Sequence, residues 1–276
     1  MSPKSQAVQP PNSLEYGTFV TAAYAVFAAL PNNLNPLQSM YPSFPAGYKL
    51  IVNIQMKDFF GGTTSTKYYG FIAQNLVTKD YVVVFRGTIT LEEWWDDIHI
   101  NLVQCPYLGR SGKVAEGFLD IYKTMSWTIP GASGTPKAIK NKLILPDGTT
   151  MDSDASPVVT GHSLGSALAT LYAADVVAAN PKVYTLASPR VGDTQFANAF
   201  NSAINTSYRI YNKPDIVPKL PPDFPPLFDF KHVKGGYEVN SLIYPQVKQD
   251  IGCYHSHFTY LFLLGANANV LGSCRT

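Results

Sequence analysis

Ser163 sits between two glycines in Gly161-His162-Ser163-Leu164-Gly165. GxSxG is the spacing of a nucleophilic serine carried where a strand reverses into a helix. The flanking sequence supports that placement. The apolar run Pro157–Thr160 precedes it as a short buried strand, and Ser163–Ala179, rich in Ala and Leu, follows as a helix. So tight a reversal strains the serine at its apex and requires glycines where a Cβ would strike the adjoining strand or helix. Ala167 and Ala169 let the helix pack closely. The helix N-terminus turns its free N–H groups and positive dipole end toward the reacting centre. GxSxG also occurs by chance around structural serines, and here the strand and helix on either side favour the nucleophile. His162 adjoins Ser163, so its ring is directed away, and it reads as a packing or hydrogen-bonding residue.

A serine hydroxyl attacks only when a base takes its proton. In α/β-hydrolase folds the chain order is Ser, then Asp or Glu, then His. Downstream lie His232, His255 and His257, with Asp193, Asp215, Asp223 and Asp229 as candidate acids. Asp215 follows the strand-like Tyr208–Tyr211 and the loop Asn212-Lys213-Pro214, where such a sheet carries its functional carboxylate. The residue types and spacing leave the three histidines open.

These groups need a scaffold. Tyr81–Phe85, Pro157–Thr160, Val183–Leu186 and Tyr208–Tyr211 read as buried strands, and Ser163–Ala179 and Thr194–Ile204 as helices. Their alternation predicts an α/β fold with a mostly parallel central sheet flanked by helices. Residues 1–276 are expected to form a single domain, with 1–13 a flexible arm and Tyr16–Leu30 a helix too short to span a bilayer. Residues 217–227 hold five prolines and read as an irregular loop. Asp147-Gly148 marks a turn. With 46% hydrophobic and 14% charged residues, the chain can bury a sizeable core. A formal net charge of +2 gives no basic footprint for nucleic acid. The three cysteines, Cys105, Cys253 and Cys274, allow one bridge and one free thiol. Neither a metal nor another cofactor is expected.

Several blocks in order carry a family resemblance. They are VVVFRGT (82–88), VVTGHSLGSALATL (158–171), YTLASPRVGDTQFANAFN (184–201), YRIYNKPDIVPKLPP (208–222) and HFTYLF (257–262). Together they resemble the fungal-type, class 3 triacylglycerol lipases, over about residues 80–265. The resemblance implies an α/β-hydrolase fold with Ser163 as nucleophile, Asp215 as acid and His257 as base. His255 is the nearest rival to His257, and His232 takes a structural place. The N–H groups of Thr88 and Leu164 would form the oxyanion hole, which stabilises the charge that develops on the attacked carbonyl. One departure is Glu116, which stands where the family usually has a His before Gly117-Phe118.

Thr90 and Glu93 form a capping box that predicts a short helix, with Leu91, Trp94, Trp95, Ile98 and Leu102 near one face. The resemblance makes this segment a helical lid, with Ile89, Leu91, Trp94, Trp95 and Ile98 along the substrate groove. The expected substrate is a triacylglycerol or other lipophilic ester met at a lipid–water interface. Feruloyl or short-chain esters and phospholipids are alternatives on the same triad. Acyl transfer to an alcohol is another outcome of the same acyl-enzyme, and a non-catalytic lipase-like binding protein is the rival of a different class. The resemblance implies export, although the N-terminal residues carry no clear signal. Cys253 and Cys274 flank His257, so a bridge between them would pin the loop carrying it to the C-terminus.

Overall fold

All five residues of Tyr81–Phe85 (β3) are buried, as a strand covered on both faces requires. In this computed structural model, which describes residues 8–59, 64–88, 99–132, 137–139, 141–151, 156–225 and 229–276, β3 lies in mid-sheet. It pairs in parallel with Val158–His162 (β8), β8 with Lys182–Leu186 (β9), β9 with Thr206–Asn212 (β10), and β10 with Gly236–Val239 (β11). On the other side of β3 the sheet continues antiparallel through Ser65–Asn75 (β2), Tyr48–Asp58 (β1), Ser126–Thr128 (β6) and Lys137–Ala138 (β7). The predicted strands are all present, and the parallel half is the half that bears the site. The antiparallel strands extend the sheet beyond what the sequence reading anticipated.

Consecutive residues of the central strands face opposite layers. Val82, Val84, Val158 and Tyr184 pack with Phe19, Val20, Ala23 and Phe27 of the helix Ser13–Ala29 (α1). Val83, Phe85, Val159 and Val183 pack on the other face with Glu116–Lys123 (α2) and Leu164–Asp175 (α3). The helix expected over 163–179 is thus α3 followed by a short 3-10 turn, Val177–Ala179. Thr194–Ala203 (α4) is capped by Asp193, whose Oδ1 accepts from the Phe196 amide at 2.7 Å. Two short helices follow, Ile251–His255 (α5) and His257–Leu263 (α6).

Register brings the site together. Phe85 pairs with Gly161, His162 with Leu186, and Leu186 with Ile210. The loops after β3, β8 and β10 therefore leave the same edge of the sheet, at the carboxyl ends of the strands. A second ribbon joins Leu102–Gln104 (β4) to Lys113–Ala115 (β5). Leu102, expected on a helix face, opens a strand instead because its backbone pairs with Ala115. Of the expected N-terminal arm, residues 1–7 lie outside the described residues. Gln9 is docked, its side-chain amide donating to the Leu264 carbonyl at 3.0 Å, and Ser13 already begins α1. No helix among the described residues is long and apolar enough to cross a membrane.

Candidate active site

Ser163 occupies the apex of the β8–α3 reversal with φ 58° and ψ −129°, a conformation that costs free energy outside glycine. Close packing on both sides holds it there. A Cβ on Gly161 would lie 2.3 Å from the Gly165 carbonyl oxygen, and one on Gly165 would lie 2.4 Å from that of Phe85. Only glycine lets strand, elbow and helix approach so closely. The Ser163 amide donates to the Leu186 carbonyl at 3.0 Å, tying the elbow to β9. Leu164 opens α3, where first-turn amides have no partner within the helix.

The Ser163 Oγ lies 2.9 Å from Nε2 of His255. On the other side of that ring, Nδ1 lies 2.9 Å from Oδ2 and 3.1 Å from Oδ1 of Asp215. All three residues are buried. Asp215 has further donors: the Tyr260 hydroxyl to Oδ2 at 2.7 Å and the Val217 amide to Oδ1 at 3.0 Å. The acid is thus fixed as an acceptor that orients the imidazole, with Nδ1 protonated and Nε2 free to accept from serine. Asn212 supports the base loop from the end of β10. Its side-chain amide donates to the Tyr254 carbonyl and to the Ser241 hydroxyl, both at 2.9 Å.

The histidine at the centre is therefore His255, which corrects the expectation of His257. The backbone explains the difference. Ser256, with φ −56° and ψ 129°, separates α5 from α6, so two histidines only two positions apart face different ways. His257 stacks on Tyr24, with ring centroids 4.6 Å apart and planes 12° apart. Burial, then the neighbouring His255, lower its pKa to about 3. The resemblance of the HFTYLF block points to His257, but Tyr260 of that block bonds to Asp215 and places no constraint on which histidine meets the serine. His232 is bound to the Pro218 carbonyl at 2.6 Å. The remaining acids are engaged elsewhere: Asp223 with Lys231 at 2.8 Å, and Asp229 with the Thr194 hydroxyl at 2.6 Å. Glu116 begins α2 and accepts from the Asn101 side chain at 3.3 Å.

Thr88, half-buried, follows β3 and lines a cavity of about 600 Å³ with Tyr24, His255, His257 and Phe258. Arg86 fixes the backbone leading to it. Its Nε donates to the Tyr68 carbonyl at 2.7 Å, Nη1 donates to the Gly87 carbonyl at 2.6 Å, and the guanidinium lies over the Phe27 ring. The lid and groove residues Ile89, Leu91, Trp94, Trp95 and Ile98 lie outside the described residues. Cys253 and Cys274 are bridged, with Cα atoms 5.3 Å apart, which ties the base loop to the C-terminal segment. Cys105 is free and buried. Tyr24 had given no local signal, since it meets this region from 138 positions away.

A sheet that is parallel over the half bearing the site, with helices on both faces, a strained serine elbow and a Ser–His–Asp chain define an α/β-hydrolase. The lipase (class 3) family profile matches residues 82–224, more than half of the chain, and the chain belongs to this family. It is similar to phospholipase A1-II 3 of Oryza sativa subsp. indica, 35% identical over 66% of this chain and 47% of that protein. It is also similar to secreted mono- and diacylglycerol lipase 1 of Fusarium solani, 31% identical over 63% of this chain and 48% of that protein. The chain spans about half the length of these curated relatives. Among solved structures it resembles the Rhizomucor miehei lipase propeptide complex, with a TM-score of 0.58 and 26% identity over 86% of this chain and 70% of that one.

Proposed function

We propose that this chain hydrolyses carboxylic esters of lipids through an acyl-enzyme on Ser163. The hydrogen-bonded chain Ser163–His255–Asp215, with both links at 2.9 Å, carries the reading. His255 Nε2 takes the hydroxyl proton as Oγ attacks the ester carbonyl, and then gives it to the leaving alcohol. It next takes a proton from water, which attacks the acyl-enzyme, and returns that proton to Ser163 as the acid departs. Asp215 holds the ring in place and stabilises the imidazolium. The amides of Leu164 and Thr88 are assigned to the developing oxyanion, where one donor typically accounts for about 3 kcal/mol of barrier. Membership of the class 3 lipases supports an acylglycerol substrate. The likeness to a phospholipase A1 supports a second reading, a glycerophospholipid cleaved by the same triad. The secreted relative supports export.

The test is hydrolysis of emulsified triacylglycerol, diacylglycerol and phosphatidylcholine, with a p-nitrophenyl ester series from short to long acyl chains and Ser163→Ala as control. Fatty acid release from acylglycerols that vanishes in the variant supports the first reading. Release confined to phosphatidylcholine supports the second. Absence of Ser163-dependent hydrolysis across all of these substrates overturns both.

A further inference from the structure

A chain of hydrogen bonds links the N-terminal helix to both sides of the triad. The Gly87 amide donates to the Tyr24 hydroxyl oxygen at 2.9 Å. That oxygen lies 3.0 Å from Nδ1 of His162, and Nε2 of His162 lies 2.8 Å from the carbonyl oxygen of His255. Proton placement follows from the partners. A carbonyl only accepts, so Nε2 carries the hydrogen, and in a neutral ring Nδ1 must then accept. The Tyr24 hydroxyl donates to it while accepting from Gly87. Burial, above all, holds the His162 pKa well below its ordinary value, consistent with a neutral ring.

The fit is close at every joint. A Cβ on Gly87 would lie 2.5 Å from the Tyr24 hydroxyl and 2.9 Å from Cβ of Ser163. The ring of the same tyrosine stacks on His257. Tyr24 and its α1 lie outside the segment matched by the family profile.

We propose that Tyr24 and His162 are positioning residues that set the backbone before Thr88 and the carbonyl of His255 in mutual register, so that oxyanion donor and base meet the same tetrahedral centre. This rests on the triad function proposed above. Neither side chain exchanges a proton with substrate. Each acts through the backbone of a group that does.

The test uses the full chain and the conservative variant Tyr24→Phe, which keeps the ring on His257 and removes only the hydroxyl. Loss of the hydroxyl leaves the Gly87 amide without its acceptor and His162 Nδ1 without its donor. The expected fall in kcat on a soluble p-nitrophenyl ester is about 5- to 100-fold, with KM changed less than about twofold. Inhibition by a trifluoromethyl ketone, which forms the tetrahedral adduct, should weaken by the same factor. A merely structural role would lower the melting temperature without coupling these two quantities. His162→Gln, whose amide can still donate to the His255 carbonyl, should retain more activity than His162→Phe. NMR of the imidazole nitrogens supplies a readout free of turnover: His162 should show the Nε2–H tautomer, and Tyr24→Phe should shift the His255 ring signals. Unchanged His255 signals, with kcat within about twofold of wild type in Tyr24→Phe, would overturn the proposal. Failure of the wild type to show Ser163-dependent hydrolysis would instead sink the functional reading, and the NMR comparison would still decide the positioning roles.

Discussion

His255 and His257 compete directly for the role of base, because a single residue, Ser256, lies between them and their chemistry is identical. His255 bridges Ser163 and Asp215 with both bonds at 2.9 Å. Removing it in His255→Ala leaves Ser163 without a base and a buried Asp215 without one of its three donors. Triads lose about 10⁴- to 10⁶-fold in kcat when such a member is deleted, or roughly 5–8 kcal/mol of transition-state stabilisation. His257 makes no such link. Its Nε2 is buried with no hydrogen-bond partner among the described residues, and its ring contributes through stacking on Tyr24. His257→Phe keeps a stacked ring and removes the unpaired nitrogen, so kcat should stay within about threefold of wild type. Relief of a buried unsatisfied group is worth about 1 kcal/mol or more, which would raise Tm by roughly 2–4 °C in a chain of this size. The assay is steady-state hydrolysis of a soluble p-nitrophenyl ester, with calorimetry on the same samples. A loss of about a thousandfold or more in His257→Phe, alongside retained activity in His255→Ala, would refute the assignment.

Three more predictions follow from the packing around the site. Gly165→Ala would place a Cβ 2.4 Å and 2.6 Å from the carbonyl oxygens of Phe85 and Arg86, which are backbone and cannot turn aside. It should cost about 3 kcal/mol and lower Tm by roughly 6–12 °C, as calorimetry would show. Opening the Cys253–Cys274 bridge, whose ends are 21 positions apart, removes about 3 kcal/mol of loop restraint. The double variant Cys253→Ser/Cys274→Ser should lose activity on heating well before its core unfolds, seen by comparing residual activity with far-ultraviolet circular dichroism. The third concerns acid. His232 and His257 titrate near 6.5 when unfolded but are held neutral down to about 3 in the fold. Between those values the unfolded chain binds the protons, so stability is full above about pH 6.5 and falls as pH drops. Urea titration at pH 7 and pH 5 should show a loss of about 2 kcal/mol per histidine, and His257→Phe should lose less.

The places of Ser163 and Asp215 in the hydrogen-bonded chain were legible because each is a local event. Gly161 and Gly165 announce a reversal that no other residue permits, and Asp215 follows a strand short enough to read unaided. The central strands were legible for the same reason, since Val-rich runs buried on both faces need no partner to be recognised. The base was not, because its choice turns on a backbone break at Ser256, which leaves no compositional mark. The long antiparallel pair β1 and β2 also escaped. Asn53 and Gln55 of β1 are buried polar residues whose side-chain amides reach other loops: Asn53 donates to the Pro36 carbonyl and Gln55 to the Leu34 carbonyl, at 3.0 and 2.9 Å. They blur the alternation that marks a strand. Tyr24 could not be found from sequence at all, because its partners Gly87 and His162 lie 63 and 138 positions away.

The separation of these parts along the chain orders their appearance during synthesis. Ser163 precedes its base by 92 positions, and the acid precedes the base by 40. The bridge partner Cys274 comes later still, 21 positions after Cys253. A growing chain can therefore complete α1, β3 and the elbow while its serine has no proton acceptor. The hydrogen-bonded chain Ser163–His255–Asp215 is complete only once residue 255 has been made, so the segment around residues 253–274 supplies its last member. Until then Ser163 has no imidazole to take its proton.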